Sequence, residues 1–244
     1  MNLSLWQWVV AAIAAVLVGV AKTGITGLSL LFVSMFASIM PARRSTGVVL
    51  PLMIVGDFVA VLAYRRHAQW KYLWRLFPWA GTGIVIGYLA MGRMNDDQAR
   101  QAIGAIIVSL AALHIYRRLR PAGHEAEHGA WFAPVIGILA GFTTLVSNSS
   151  GPLMVIYLLA MRLPKMEYMG TMAVFFMLLN FFKLPFMVSL GLVNRESLLL
   201  NLELAPAVLV GTWLGSWVLR HINQSAFETI ALVLTLCAAA KMFI

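Results

Sequence analysis

The sequence predicts an all-α polytopic membrane protein made of two inverted repeats, each an interrupted, re-entrant helix pair followed by three transmembrane helices. Three observations predict it. Apolar residues make up 61% of the 244-residue chain and charged residues only 11%, far below the roughly 25% charge of a soluble domain. Two polar breaks, Lys22-Thr23-Gly24-Ile25-Thr26-Gly27 and Ser147-Asn148-Ser149-Ser150-Gly151-Pro152, interrupt otherwise apolar sequence. Landmark residues recur in one order in both halves.

Apolar segments cover 5–21, 25–40, 48–64, 76–92, 101–116, 131–146, 151–161, 170–190, 198–219 and 226–243. The runs flanking the second break, VIGILAGFTTLV and PLMVIYLLAM, are short. At about 1.5 Å per residue each reaches roughly 15–20 Å, against a hydrocarbon core of roughly 30 Å. A helix–break–helix pair of that size is most simply a hairpin that enters and leaves on one side. Its break then lies near the midplane, where non-helical backbone is tolerated only inside protein or beside a wet cavity. Two such breaks, one per half, mark a candidate binding site.

The hydrophilic stretch RRLRPAGHEAEHG, 117–129, divides the chain nearly in half. Pro41 and Gly47 match Pro164 and Gly170 at one spacing, and Asp57-Phe58 then falls opposite Asn180-Phe181. Further on, Gly83 and Gly87 match Gly211 and Gly215, and Asn95 matches Asn223. Shared order argues for duplication: a first repeat over 1–116, a connecting loop over 117–130, and a second repeat over 131–244. The GxxxG pairs Gly83/Gly87, Gly137/Gly141 and Gly211/Gly215 are expected to be close-packing helix faces.

One hairpin plus three spans is an odd number of crossings, which inverts the second half. Loops 65–75, 117–129, 162–169 and 220–225 then share one side and carry ten Arg and Lys residues, against six on the other. The positive-inside rule puts the first set in the cytoplasm and both termini outside. The net charge of +9 is spread through these short loops, so no nucleic-acid partner is read from it. In RRHAQWKYLWR, 65–75, the mixture of Trp, Tyr and cations fits a headgroup-level segment facing anionic lipid. The N-terminus has no basic residue before its apolar run, so no cleaved signal peptide is expected.

Few ionisable residues fall inside apolar spans: Lys22, Asp57 and Lys183, with His114 near a span end. Each costs on the order of 2.5–3.5 kcal/mol at a helix centre, so each calls for a partner or a watery path. Lys22 either faces an anion or snorkels to the interface. Lys183 either contacts an anion or pairs with Asp57. Asp57, with Asn180 opposite it in the repeat, serves coupling or ion pairing. At the second break, Ser147, Asn148, Ser149 and Ser150 offer polar side chains, and the backbone N–H groups around Gly151 start the next helix. A helix N-terminus is an anion site, and Ser149 or Ser150 is placed to cap it. Lys22, Thr23, Gly24 and Gly27 are expected to approach from the first break.

No catalytic constellation is visible: no HExxH, P-loop or serine-nucleophile motif, and His67, His124 and His128 lack metal-ligand spacing. A single cysteine, Cys237, excludes a thiolate metal cluster and an intrachain disulfide. An enzyme is therefore not expected, nor a cofactor or a metal.

The segments GVAKTGITGLSLLFVSMFASIMP and GFTTLVSNSSGPLMVIYLLAMRLP pair an apolar stretch, a break and a short helix ending near a proline. AQWKYLWRLFPWAGTGIVIG and LVNRESLLLNLELAPAVLVGTWLG each carry an interfacial turn before a Gly-rich span. With these elements the chain resembles the TauE/SafE (sulfite exporter) family of bacterial membrane transporters, from about residue 8 to the end. Members often carry a run of glycines at the first break; this chain has only Gly24 and Gly27 there. The resemblance implies a secondary transporter of the bacterial inner membrane. It would export small sulfur-containing anions, such as sulfite or sulfoacetate, driven by a proton or ion gradient. An importer, or a carrier of another small anion, is the alternative, with a membrane enzyme or an assembly factor behind it. The expected partners are a small anion and the lipid bilayer; the sequence does not fix an oligomeric state.

Overall fold

The computed structural model describes residues 3–25, 28–90 and 131–240, and the described residues contain helices and no strands. Among them nine α-helices follow in order: α1 (Leu5–Thr23), α2 (Ser29–Ile39), α3 (Ala42–Tyr64), α4 (Trp70–Ala90), α5 (Phe132–Ser147), α6 (Gly151–Ala160), α7 (Lys165–Ser189), α8 (Arg195–His221) and α9 (Gln224–Ala240). A 3-10 turn, Arg65–His67, separates α3 from α4. Gly27, Asn95, the apolar segment 101–116 and the loop 117–130 lie outside the described residues, as do Arg93, Arg100 and Lys241 of the charge count.

Among the described residues four stretches are long and apolar enough to cross a bilayer: Leu5–Thr23, Arg44–His67, Lys165–Ser189 and Arg195–His221. Large apolar side chains such as Trp6, Leu62, Leu89, Leu202 and Trp213 stand on the outside. In water such a surface would associate; here it is the face that meets acyl chains. The chain is thus a multi-pass membrane protein. Three helices start earlier than their apolar runs, at Ala42, Lys165 and Arg195 rather than 48, 170 and 198. Their first turns are polar because local signals, not hydropathy, set the start. Pro41 and Pro164 stand just before α3 and α7, and a reciprocal Asn194–Ser197 capping box opens α8.

Both interrupted pairs fold back on themselves. Gln7 Nε2, near the start of α1, donates to the Ile39 carbonyl at the end of α2 (3.3 Å). The Phe132 ring at the start of α5 stacks on Tyr157 near the end of α6, 5.7 Å between centroids. The returning arms are 11 and 10 residues long, roughly 15–16 Å each at the helical rise. Their N-termini meet: a Cβ on Gly151 would lie 2.6 Å from Ser29 Oγ. End to end, the two half-helices cover about one hydrocarbon thickness.

Glycine fixes how the outgoing arms are held. Gly19 packs against the Val208 carbonyl and Gly211 against that of Val16, while Gly24 lies on Gly215, so α1 and α8 run side by side in the same direction. Gly83 lies on the Ile138 carbonyl, Gly141 on that of Ala80, and Gly87 against Leu145, so α4 and α5 form a matching pair. Small residues allow this approach of backbones, which in lipid replaces the hydrophobic effect as the source of helix adhesion. Between the two pairs, α3 and α7 run in opposite directions. Gly170 near the start of α7 touches Tyr64 at the end of α3, and Leu192 just past α7 touches Gly47.

Gly141→Ala and Gly211→Ala each place a methyl on a neighbouring carbonyl. Each should destabilise the protein by about 1–3 kcal/mol, the usual cost of overpacking, read as a lower midpoint of thermal unfolding in detergent. Gly81→Ala meets only the Phe182 ring at 3.7 Å and should leave the midpoint unchanged.

Candidate functional site

The two breaks close on a cavity of about 40 Å³. Lys22 and Ser29 line it from the first break, Asn148, Ser150 and Gly151 from the second, Asp57 and Asn180 from α3 and α7. Thr144 adds a hydroxyl, and Phe32, Met53, Met172 and Phe176 form apolar wall. At roughly 10–15 Å³ per water-sized occupant, the space suits about three such atoms.

The first break begins where α1 ends. Gly24 and Ile25 donate to the Val20 carbonyl, and the Tyr64 hydroxyl donates to that of Thr23 (2.8 Å). Thr23 Oγ1 donates to the Thr212 carbonyl across the α1–α8 contact, 2.7 Å. That fully buried side chain ties helices together and does not line the cavity. Gly24 likewise serves packing against Gly215.

The second break turns on Asn148, the residue after α5. It adopts the left-handed conformation, φ 52° and ψ 27°, which asparagine tolerates better than most residues and which ends a helix. Its Nδ2 donates to the Thr46 carbonyl on α3 (3.0 Å), and its Oδ1 accepts from Lys183 Nζ at 2.6 Å. Ser147 and Ser149 bond to each other through their hydroxyls, 2.5 Å apart. Neither lines the cavity.

The expected capping by Ser149 or Ser150 is absent: Ser150 holds the N-cap position of α6 without a side-chain bond. Its backbone is already helical, φ −74° and ψ −8°, whereas a capping side chain reaches the N–H groups from an extended backbone. At the start of α2, Leu28 also supplies no side-chain cap. Two helix N-termini therefore face the cavity, and among the described residues neither N-cap side chain answers their N–H groups.

The charges distribute differently from the sequence expectation. Asp57 pairs with Lys22, not Lys183: Lys22 Nζ lies 2.6 Å from Oδ1, with the side chains 9% and 0% exposed. Lys22 thus neither snorkels nor stands free toward an anion; its ammonium also sits over the Phe176 ring, 4.6 Å from the centroid. The other carboxylate oxygen accepts from Asn180 Nδ2 at 2.5 Å. Lys183 reaches three acceptors: Asn148 Oδ1, Thr144 Oγ1 at 2.9 Å and the Thr144 carbonyl at 3.2 Å. It is buried at the C-terminal end of α5, where the helix dipole favours a cation. Lys183 therefore fixes the second break without lining the cavity.

Two polar atoms at the cavity have no partner, Ser29 Oγ and Asn180 Oδ1. Sequence reasoning missed Ser29, Thr144 and the Tyr64 cap. A usable signal existed for Thr144: it follows Gly141 by three residues, as Lys22 follows Gly19. Among the described residues no cluster of His, Cys, Asp or Glu could hold a metal.

A small cavity with an apolar wall and a few converging polar groups, set between interrupted helices of an apolar bundle, fits a membrane transporter. The family model for the sulfite exporter TauE/SafE matches residues 11–242, nearly the whole chain, and the protein belongs to that family. No curated protein and no solved structure matches it.

The pairing can be tested by rescue. Lys22→Met strands a buried carboxylate and should cost about 3–5 kcal/mol, most of it recovered in Lys22→Met/Asp57→Asn. Asp57→Asn should not rescue Lys183→Met. Unfolding midpoints of the four variants decide the matter; rescue of Lys183→Met would return that lysine to Asp57.

Proposed function

We propose that the chain is a secondary transporter that exports small sulfur-containing anions across the bacterial inner membrane, coupled to a proton or other ion gradient. The observation that carries this reading is the convergence on one cavity of two helix N-termini whose N-cap residues, Leu28 and Ser150, make no side-chain cap bond. Each end presents roughly half a positive charge and unanswered N–H donors. Lys22 and the two partnerless polar atoms stand beside them. Asn148 and Ser150 complete the polar lining, held in place by Lys183 and the Ser147–Ser149 pair. A negatively charged oxyanion answers the donors among these groups, the N–H ends, Lys22 and Ser29 Oγ; Asn180 Oδ1, an acceptor, is left for a proton donor. The cavity's size favours sulfite over the longer sulfoacetate.

The arrangement proposed is that of two inverted repeats, 1–116 and 131–244, joined by 117–130. Several contacts support it. The α1–α8 and α4–α5 pairs use glycines at matched positions. The matched residues Asp57 and Asn180 touch each other, which is what related positions do on a two-fold axis. Each hairpin enters from its own face, so one cavity can open to either side as the repeats rock. With the surplus of basic residues inside, loop 65–75 is cytoplasmic and the termini are periplasmic. No cofactor enters the proposed cycle, and nothing in it makes or breaks a covalent bond of the substrate.

Asn148→Ala should weaken sulfite binding to the purified protein about ten- to a hundred-fold, the loss of a charge-assisted hydrogen bond of roughly 1.5–3 kcal/mol. Lys71→Ala, exposed on α4, should bind like the parent. Equal binding by both variants would remove the anion from the cavity. For orientation, cysteines at the exposed positions Arg66 and Arg195 are compared in a chain whose Cys237 is replaced. A membrane-impermeant thiol reagent added to intact cells should label position 195 and spare position 66; the opposite pattern reverses the topology.

A further inference from the structure

We infer that Asp57 carries one proton with each anion, because Lys22 cannot serve Asp57 and the anion at once. The inference rests on the anion site proposed above and names how that site is coupled. Asp57 is fully buried in the cavity wall, held by Lys22 through one oxygen and by Asn180 through the other. The charged groups that face it are Lys22 from α1 and Lys183 from α7. Lys183 is committed to Thr144 and Asn148. The neighbouring contact of α3 with α8 is apolar, Val208 against Gly56, and α2 faces the cavity with Ser29 and Phe32. Lys22 is thus the one ammonium among these that can change partner.

An anion entering the cavity competes with Asp57 for Lys22. Two anions beside one cation in a low-dielectric site repel strongly. The carboxylate left behind relieves that repulsion by taking a proton from water admitted with the anion. When the anion leaves on the other side, Lys22 returns to Asp57 and the proton goes to the water there. No covalent bond forms other than O–H, and the exchange balances: one proton and one anion cross together. For a singly charged anion the crossing is electroneutral and an alkaline interior opposes export; for the sulfite dianion one net negative charge moves, so an inside-negative potential that exceeds the pH gradient drives it outward.

Asn180 is suited to both states of Asp57. Its Nδ2 donates to the carboxylate in the structure, while its Oδ1 has no partner. Rotated about its last bond, the amide presents that oxygen to the protonated acid. An aspartate or a leucine there could not answer both forms. Asn180 is therefore a positioning residue for the proton site.

The test uses the full-length protein and labelled sulfite. Equilibrium binding comes first: no binding overturns the anion site itself, whatever the coupling. In proteoliposomes, an imposed pH gradient should shift the steady-state sulfite distribution of the parent toward the alkaline side, by up to about ten-fold per pH unit for one coupled proton. In Asp57→Asn the part of that shift that exceeds sulfite's own titration should be lost. An identical response in parent and variant, with binding intact, overturns the coupling alone. A second measurement needs no variant. Dicyclohexylcarbodiimide attacks protonated buried carboxyls, so saturating sulfite should raise the yield of the Asp57 adduct in the parent protein, read by mass spectrometry. An adduct yield that stays level or falls when sulfite binds would make the Lys22–Asp57 pair purely structural.

Discussion

Two helix N-termini meet in the middle of this protein, at Ser29 and Gly151, and most of the surrounding structure depends on that meeting. Each half-helix begins with N–H groups that its own N-cap residue leaves without a side-chain bond, in a region with little water to answer them. The other ends created by the breaks are dealt with. Tyr64 donates to the last carbonyl of α1, and Lys183 to that of Thr144 near the end of α5. Negative helix ends are thus capped or neutralised, while the positive ends are left open. A site arranged in this way is complementary to an anion by its backbone alone. The side chains then decide how large that anion is and what accompanies it.

Keeping two breaks at that position requires the long arms to be immobile. The glycine contacts of α1 with α8 and of α4 with α5 bring backbones within reach of each other's carbonyls. Thr23 adds a buried bond to the Thr212 carbonyl in the first pair. Such packing is rigid within a pair. The helices α3 and α7 pack as closely at their ends, Gly170 on the Tyr64 carbonyl and Gly47 on that of Leu192, and between those contacts they meet through Asp57 and Asn180. The ion pair of Lys22 and Asp57 joins α1 to α3.

Much of this was legible in the chain. The polar breaks, the short run after Gly151 and the recurring Pro, Gly and Asp/Asn landmarks led to interrupted hairpins and to Asp57 as the counterpart of Asn180 in the repeat, but not to the contact between them. The closely packed glycines were legible because a GxxxG face has one common use in lipid. The partners of the two lysines were not. Both Lys22 and Lys183 lie in apolar context, and distance along the chain does not say which ammonium reaches Asp57. That depends on Lys183 lying one helical turn beyond Asn180, a step that carries it to the end of α5 and away from the carboxylate. Ser29 was silent for another reason: a serine in an apolar run has many uses, and only the meeting with Gly151 singles it out. The capping expectation for Ser149 and Ser150 failed on backbone conformation, which residue identity does not determine.

The difference between Asp57 and Asn180 gives the site its sign. The two occupy matched places in the halves and bond to each other, so the exchange of one carboxylate oxygen for an amide nitrogen changes charge with little change of shape. A second aspartate would put two carboxylates in contact, and one would have to hold a proton permanently. It would also supply a fixed competitor for Lys22 that no incoming anion could displace by protonation alone. With a single acid, the formal charge of Lys22 is balanced when the cavity is empty, and the open helix ends still attract an oxyanion. The half-occupied condition, in which anion and carboxylate share one lysine, is the unfavourable one. On the coupling inferred above, a carrier built this way would discourage binding without neutralisation of Asp57, and that linkage would come from one amide at a position where the proposed repeat would allow an acid.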